Sequence, residues 1–193
     1  TLIFAISLLS TATAQVFHDG ELLYYRAAYR AKLVPNIEAG EVTVSTRIDT
    51  LKGREVYRVT GNGQTLPFFR WFFDMNDTYN IWVDRDNLRT QRFESDLRED
   101  KYTFRSRYLY DWDSMKVHTW SQKRQNTPRA KTMDLTPESM DAVSLYFNLR
   151  SVDLDSFRED EHRNLDMVLE DTIRHLRYRY IGREELRVPK MGK

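Results

Sequence analysis

The chain has 193 residues, 40% of them hydrophobic and 13% aromatic, which is enough apolar material for the core of one domain. Lys and Arg number 30 against 29 Asp and Glu, a net charge of +1 without the basic excess that marks a nucleic-acid binder. Cysteine is absent, which excludes disulfides, thiolate metal sites and cysteine nucleophiles.

Leu2 to Leu9 form an apolar run too short to span a bilayer, followed by Ala12-Thr13-Ala14, a small-x-small cleavage pattern, and then by Gln15. Residues 1–14 therefore read as the later part of a cleaved signal peptide lacking its basic start. Residues 15–193 read as a single β-rich mature domain. No cysteine follows the cleavage pattern, so a lipoprotein anchor is not expected. No later stretch is apolar enough for a transmembrane anchor.

From there the chain alternates with a period of two. Leu23, Tyr25, Ala27, Tyr29 and Ala31 share one parity, and Val42, Val44 and Ile48 form another run. Tyr57 and Val59 oppose Val56, Arg58 and Thr60; Tyr102, Phe104, Tyr108 and Tyr110 oppose Thr103, Arg105 and Arg107. Such alternation puts the two sets on opposite faces of strands. Turn signals at Lys52-Gly53, Asp84 to Asn87, Glu99-Asp100, Asp113-Ser114 and Glu170-Asp171 separate the runs, and short connections imply antiparallel hairpins. The expected fold is mainly β: an antiparallel meander curled into an open or incomplete barrel, with one packed helix.

That helix is predicted over 137–150. Thr136 is its expected N-cap, Pro137 its first turn and Glu138 the acid near the positive end. Met140, Val143, Leu145, Tyr146, Phe147 and Leu149 nearly surround it, so it is expected to be deeply packed. Leu66 to Phe73 reads either as a short helical turn begun by Pro67 or as a strand. Two segments read as polar loops: Gln122 to Lys131, with Lys123, Arg124, Arg129 and Lys131 and no acid, and the acidic Asp153 to Asp171.

Visible catalytic chemistry is lacking. His18, His118, His162 and His175 show no ligand spacing, and Asp153, Asp155, Glu159, Asp160 and Glu161 lack the calcium-loop pattern and its glycine. No metal, cofactor or catalytic residue is assigned. There is no Gly-x-Ser-x-Gly elbow, and Gly61-Asn62-Gly63 lacks the ending of a phosphate loop. Arg174, Arg177, Arg179, Arg183 and Arg187 read as a solvated stripe or as partners of the acidic segment before them. Aromatic clustering is the remaining signal. Core filling is its simplest reading, and the alternative is a ligand pocket or a docking patch, with Trp71, Phe72, Trp82, Tyr146 and Phe147 as candidate ligand-binding residues.

Several motifs resemble a known family in order and spacing. They are Gly20-Glu21-Leu22-Leu23-Tyr24-Tyr25, Ala39-Gly40-Glu41-Val42, Asp77-Thr78-Tyr79, Asp84 to Leu88, and Phe93, Leu97, Glu99 and Tyr102. Asp141, Ser144, Leu145, Tyr146 and Arg150 follow, then Tyr180, Gly182, Arg183 and Glu184. Together they resemble the exported bacterial family called domain of unknown function 3108. The resemblance implies a curved, barrel-like antiparallel sheet in the envelope of Gram-negative bacteria and no established activity. It also implies further strands past Gly182-Arg183-Glu184. An open sheet edge is therefore expected near the C-terminus, where an apparent pocket would reflect the missing strands. The expected role is non-enzymatic: binding a lipid or glycan, or docking to an envelope partner, in the periplasm or cell envelope. The alternative is an enzyme acting on envelope polysaccharide.

Overall fold

The computed structural model describes residues 17–31, 34–151, 153, 156–158, 160–169 and 171–183. The signal-peptide reading, the side chains of Tyr29 and Ala31, the acids Asp155, Glu159 and Glu170, and everything from Glu184 onward lie outside the described residues.

Eight strands form one antiparallel sheet in strict chain order: β1 (Leu22–Ala31), β2 (Val34–Leu51), β3 (Arg54–Thr65), β4 (Asn76–Asp84), β5 (Thr90–Glu99), β6 (Tyr102–Asp111), β7 (Lys116–Lys123) and β8 (Arg129–Asp134). β1 and β8 are not hydrogen-bonded to each other, so the meander stays open. The turn residues explain the hairpins. Lys52 and Gly53 both have positive φ, 51° and 80°, the geometry that matches the twist of flanking strands. Asp84 accepts the backbone N–H of Asp86 and Asn87, and Asp111 accepts those of Asp113 and Ser114, so each carboxylate closes its own turn.

The predicted alternation is complete in β6, where Phe104, Ser106, Tyr108 and Tyr110 are buried and Thr103, Arg105, Arg107 and Leu109 are exposed. The buried parity continues across the sheet through Val59, Ile81, Phe93, Tyr108 and Thr119. Three register shifts interrupt the ladders, at Ala27/Ala28 and Tyr29/Ala31 between β1 and β2 and at Trp82/Val83 between β4 and β5, where Gln91 is the extra residue.

The helix, α1 (Ala142–Ser151), begins five residues later than predicted. Thr136 is not its cap. Thr136-Pro137-Glu138-Ser139 is a turn, with Ser139 N–H on the Thr136 carbonyl at 3.0 Å and Pro at the position that favours turns. Ser139–Met140 then forms the short strand β9. The cap is Asp141, whose carboxylate accepts the N–H of Val143 at 3.0 Å and of Ser144 at 2.9 Å. Only one side of α1 is deeply packed: Ser144 and Phe147 are buried, whereas Leu149 is exposed.

The segment Asp153 to Asp171 is not a loop throughout. It contains β10 (His162–Leu169), which pairs antiparallel with β11 (Thr172–Arg179) and parallel with β9 in a second, three-stranded sheet. Burial of Leu165 and Val168 drives this strand despite the acids before it. Those acids meet the arginines: Asp160 pairs with Arg179 at 3.0 Å and Glu161 with Arg163 at 2.8 Å.

Phe17, α1 and the second sheet cover one face of the large sheet over Tyr57, Val59, Ile81, Val83, Phe93, Tyr108, Tyr110 and Val117. A half-buried ion pair fastens this cover. Arg150 donates to both carboxylate oxygens of Glu21, at 2.9 and 2.6 Å, and lies 5.0 Å from the Phe17 ring centre. The Arg150 hydrogen bond holds the Glu21 carboxyl below its ordinary range against the opposing effect of burial. A depressed carboxyl contributes stability above its unfolded pKa and loses it as pH falls through the folded value. Glu21→Gln is therefore expected to lower stability at neutral pH by about 1.5–3 kcal/mol and to flatten the acid limb of a plot of urea midpoint against pH. An acid limb identical to that of the parent would refute the assignment.

Candidate functional site

The five candidate ligand-binding residues fall in three places and do not line one pocket. Trp71 and Phe72 stand on the loop between β3 and β4, 81% and 78% exposed, with ring centres 6.0 Å apart. Trp82 lies on the sheet face opposite the core and is nevertheless buried. Arg58 and Arg92 sandwich its ring at 5.3 and 4.7 Å, and its indole N–H donates to Asp49 at 3.1 Å. Arg92 and Arg107 both pair with Glu94, at 2.5 and 2.9 Å. Burial pushes the Glu94 carboxyl up, and these two arginines outweigh it and hold the group below its usual range. The Trp82 indole N–H is thus bonded to Asp49, Arg58 to Asn80 and Arg92 to Glu94, and this arrangement stabilises the sheet.

Tyr146 and Phe147 belong to the cover. Phe147 is fully buried and stacks on Phe17 at 4.2 Å. The Tyr146 hydroxyl meets that of Tyr25, and burial together with this contact pushes the Tyr146 phenol up to about 12.

The space available to a ligand is elsewhere. Along the covered face the side chains change from one row to the next. The row Val59, Ile81, Phe93, Tyr108 is bulky, whereas the adjoining row runs Gly61, Tyr79, Ser95, Ser106, Ser121, Arg129. Small side chains in that row leave room, and past Ser121 the room opens into a pocket of about 770 Å³. Phe104 and Ser121 line it from β6 and β7. Lys123, Gln125, Asn126, Thr127, Pro128 and Arg129 come from the β7–β8 hairpin, and Asp171 from the second sheet. The hairpin turn is internally closed: Asn126 N–H reaches the Lys123 carbonyl at 3.1 Å, and Gln122 Nε2 donates to the Asn126 carbonyl at 3.1 Å. Lys131 Nζ donates to the Asp171 carbonyl at 2.8 Å and ties the two sheets together at the pocket wall. Lys123 Nζ lies over the Tyr102 ring at 5.1 Å. Among the described residues neither Lys123 nor Arg129 has an acidic partner within salt-bridge distance.

The family model described as "Protein of unknown function (DUF3108)" matches residues 24–193. The chain belongs to the DUF3108 family. No curated protein and no solved structure matches it. The matched region of this DUF3108 chain includes every pocket residue. The basic Gln122–Lys131 stretch was the sequence signal for this site. Phe104 and Asp171 carried no signal of their own, because only the pairing of β6 with β7 and the packing of the second sheet bring them there.

On the opposite face of the DUF3108 sheet, Arg107, Leu109, His118, Thr119 and Trp120 frame a shallower groove of about 300 Å³. Arg107 is engaged by Glu94, and His118 Nδ1 is within 2.9 Å of the Thr132 hydroxyl. Among the described residues no three His, Asp or Glu side chains gather as a metal site, and no helix is long and apolar enough to cross a membrane.

Proposed function

We propose that this DUF3108 protein is an exported envelope protein that binds an anionic amphiphile, a lipid with a negatively charged headgroup, in the pocket beside the β7–β8 hairpin. The observation that carries the reading is the pairing of Lys123 and Arg129 with an aromatic floor, Phe104, in a cavity of about 770 Å³, within the size range of small-molecule sites. Two cations without carboxylate partners among the described residues suit a phosphate or carboxylate headgroup, and the floor suits the start of an acyl chain. The apolar run Leu2 to Leu9 with Ala12-Thr13-Ala14 behind it supports export.

A binding role fits this pocket better than polysaccharide cleavage does. Glycoside hydrolysis needs two carboxyl groups facing each other across the substrate, and among the described residues the pocket offers one, Asp171. The test is isothermal titration of the purified chain with dioctanoyl phosphatidylglycerol below its micellar concentration, with dioctanoyl phosphatidylcholine as the neutral control. The phosphatidylglycerol is expected to bind the parent chain and to bind the Lys123→Glu/Arg129→Glu variant about tenfold or more weakly. Equal affinity of parent and variant, or no binding by the parent, would remove the reading.

A further inference from the structure

The β3–β4 loop presents an apolar surface that the pocket does not use. Phe68, Trp71 and Phe72 are 76%, 81% and 78% exposed, and Phe73 is 39% exposed. Clusters of exposed aromatics on a soluble domain mark contact surfaces. Their geometry here is one-sided. Pro67–Phe69 is a 3-10 turn continued by the Phe72 and Phe73 N–H groups on the Phe69 carbonyl, at 2.9 and 3.1 Å. Phe68, Trp71 and Phe72 therefore stand at i, i+3 and i+4, on one side of a short helical stretch.

The loop is also fixed in place. Thr65 and Met75 are joined by a backbone hydrogen bond at 3.0 Å. Arg70 Nε donates to the Thr65 carbonyl at 3.3 Å and pairs with Asp74 at 3.8 Å. Asp74 and Asp100 tie the loop to the β5–β6 turn through two hydrogen bonds, at 2.7 and 2.9 Å. The rings are thus held outward by a closed backbone rather than left free to fold back.

Charge identifies the occupant. The β5–β6 turn carries Lys101, and the neighbouring β7–β8 turn carries Lys123, Arg124 and Arg129. The Arg124 N–H bonds the Thr103 carbonyl at 2.7 Å, so these two turns lie side by side at the same end of the sheet as the aromatic loop. The acids at this end are Asp74, paired with Arg70, Asp77, which accepts the Arg98 N–H, Asp100, which accepts the Asp74 N–H, and the half-buried Glu99. A protruding aromatic tip with cations beside it matches a bilayer surface, where Trp and Phe enter the headgroup boundary and Lys and Arg meet anionic lipid.

We propose that this end of the protein docks on a membrane bearing anionic lipid, with Phe68, Trp71 and Phe72 inserted into the interface. The pocket, lined in part by Gln125 to Pro128, is at the same end and so would lie near the lipid it accepts. The docking proposal rests on the loop and on the cations beside it, and stands whether or not the pocket binds lipid.

The experiment is sedimentation of the purified chain with sucrose-loaded vesicles, of phosphatidylcholine alone and of phosphatidylcholine mixed with phosphatidylglycerol. The chain is expected to sediment with the mixed vesicles and much less with the neutral ones. Trp71→Ser/Phe72→Ser is expected to weaken vesicle binding about tenfold or more while keeping the parent's urea midpoint and its titration with monomeric dioctanoyl phosphatidylglycerol. Lipids brominated along the acyl chain are expected to quench parent fluorescence, and Trp71→Phe to remove that quenching. Equal sedimentation of the variant, no sedimentation of the parent, or quenching that survives Trp71→Phe would overturn the proposal. So would a parent dimer that the loop variant turns into a monomer, because a second copy would then be the occupant. Failure of the pocket shows instead in the dioctanoyl titration, so the two proposals can fail separately.

Discussion

Phe147→Ala is expected to lower the free energy of unfolding by about 3–5 kcal/mol, the range for deleting a buried phenyl ring from a core that cannot collapse around the gap. Phe147 has no solvent exposure and is the only fully buried aromatic side chain of the described helix. Its ring stacks on Phe17 at 4.2 Å and meets Tyr146 edge-on at 5.9 Å, and both residues belong to the cluster that seals the sheet. Alanine there would leave Phe17 without its stacking partner and open a void in the buried cluster. Urea unfolding should show a lower midpoint at an unchanged slope. A midpoint within experimental error of the parent would mean that α1 contributes little to the core.

The second large effect is expected at Asp141, which is 1% exposed. Its carboxylate caps α1 through the Val143 and Ser144 N–H groups and also accepts the hydroxyls of Thr90 and Ser144. Asp141→Ala removes the cap and leaves two backbone donors and one of the two buried hydroxyls short of an acceptor, since the Thr90 and Ser144 hydroxyls also meet each other. Cap loss and unsatisfied buried groups together are expected to cost about 2–4 kcal/mol. The Tyr110 hydroxyl is buried nearby without a hydrogen-bond partner among the described residues, and burial followed by the Asp141 charge pushes its phenol well up. Asp141→Asn keeps one acceptor for the cap but turns an N–H₂ toward donating hydroxyls, so its stability should fall between parent and alanine variant. Hydrogen exchange at the Val143 and Ser144 amides reads the cap directly: protection retained in Asp141→Ala would rule it out.

Much of the sheet was legible because its physics is local. One covered face forces strict alternation, and Asp, Gly and Lys-Gly turns fix where each hairpin reverses, so β1, β2, β3 and β6 follow from the sequence. Trp82 was legible too, by parity: it lies between Ile81 and Val83, which face the core, and so must face away from it. Its burial was not legible, since that comes from Arg58 and Arg92 closing over the ring from neighbouring strands. The aromatic loop shows the limit of hydrophobicity as a guide. Phe68, Trp71 and Phe72 read as core, pocket or docking patch by composition, and it is the turn begun at Pro67 that points them into solvent. β10 was hidden for the converse reason. Its two buried residues, Leu165 and Val168, are three apart rather than two, and the acids before them suggested a solvated loop. The helix starts later than Thr136 predicts because the pairing of Ser139-Met140 with β10 holds that stretch extended, and Asp141 caps the first turn instead.

The order of the strands has a consequence for how the chain acquires its structure. Each strand of the large sheet needs only the segment just before or after it, so hairpins can form one by one as the polypeptide emerges, with little loop-closure entropy at each step. The cover behaves differently. Arg150 meets Glu21 across 129 residues, and Phe17 meets Phe147 over a similar span. Until α1 exists, the finished meander exposes the bulky row Val59, Ile81, Phe93 and Tyr108 to water. Folding is therefore divided into a fast local phase and one late closure. The interval between them is when this chain is most exposed to aggregation and has most need of a chaperone.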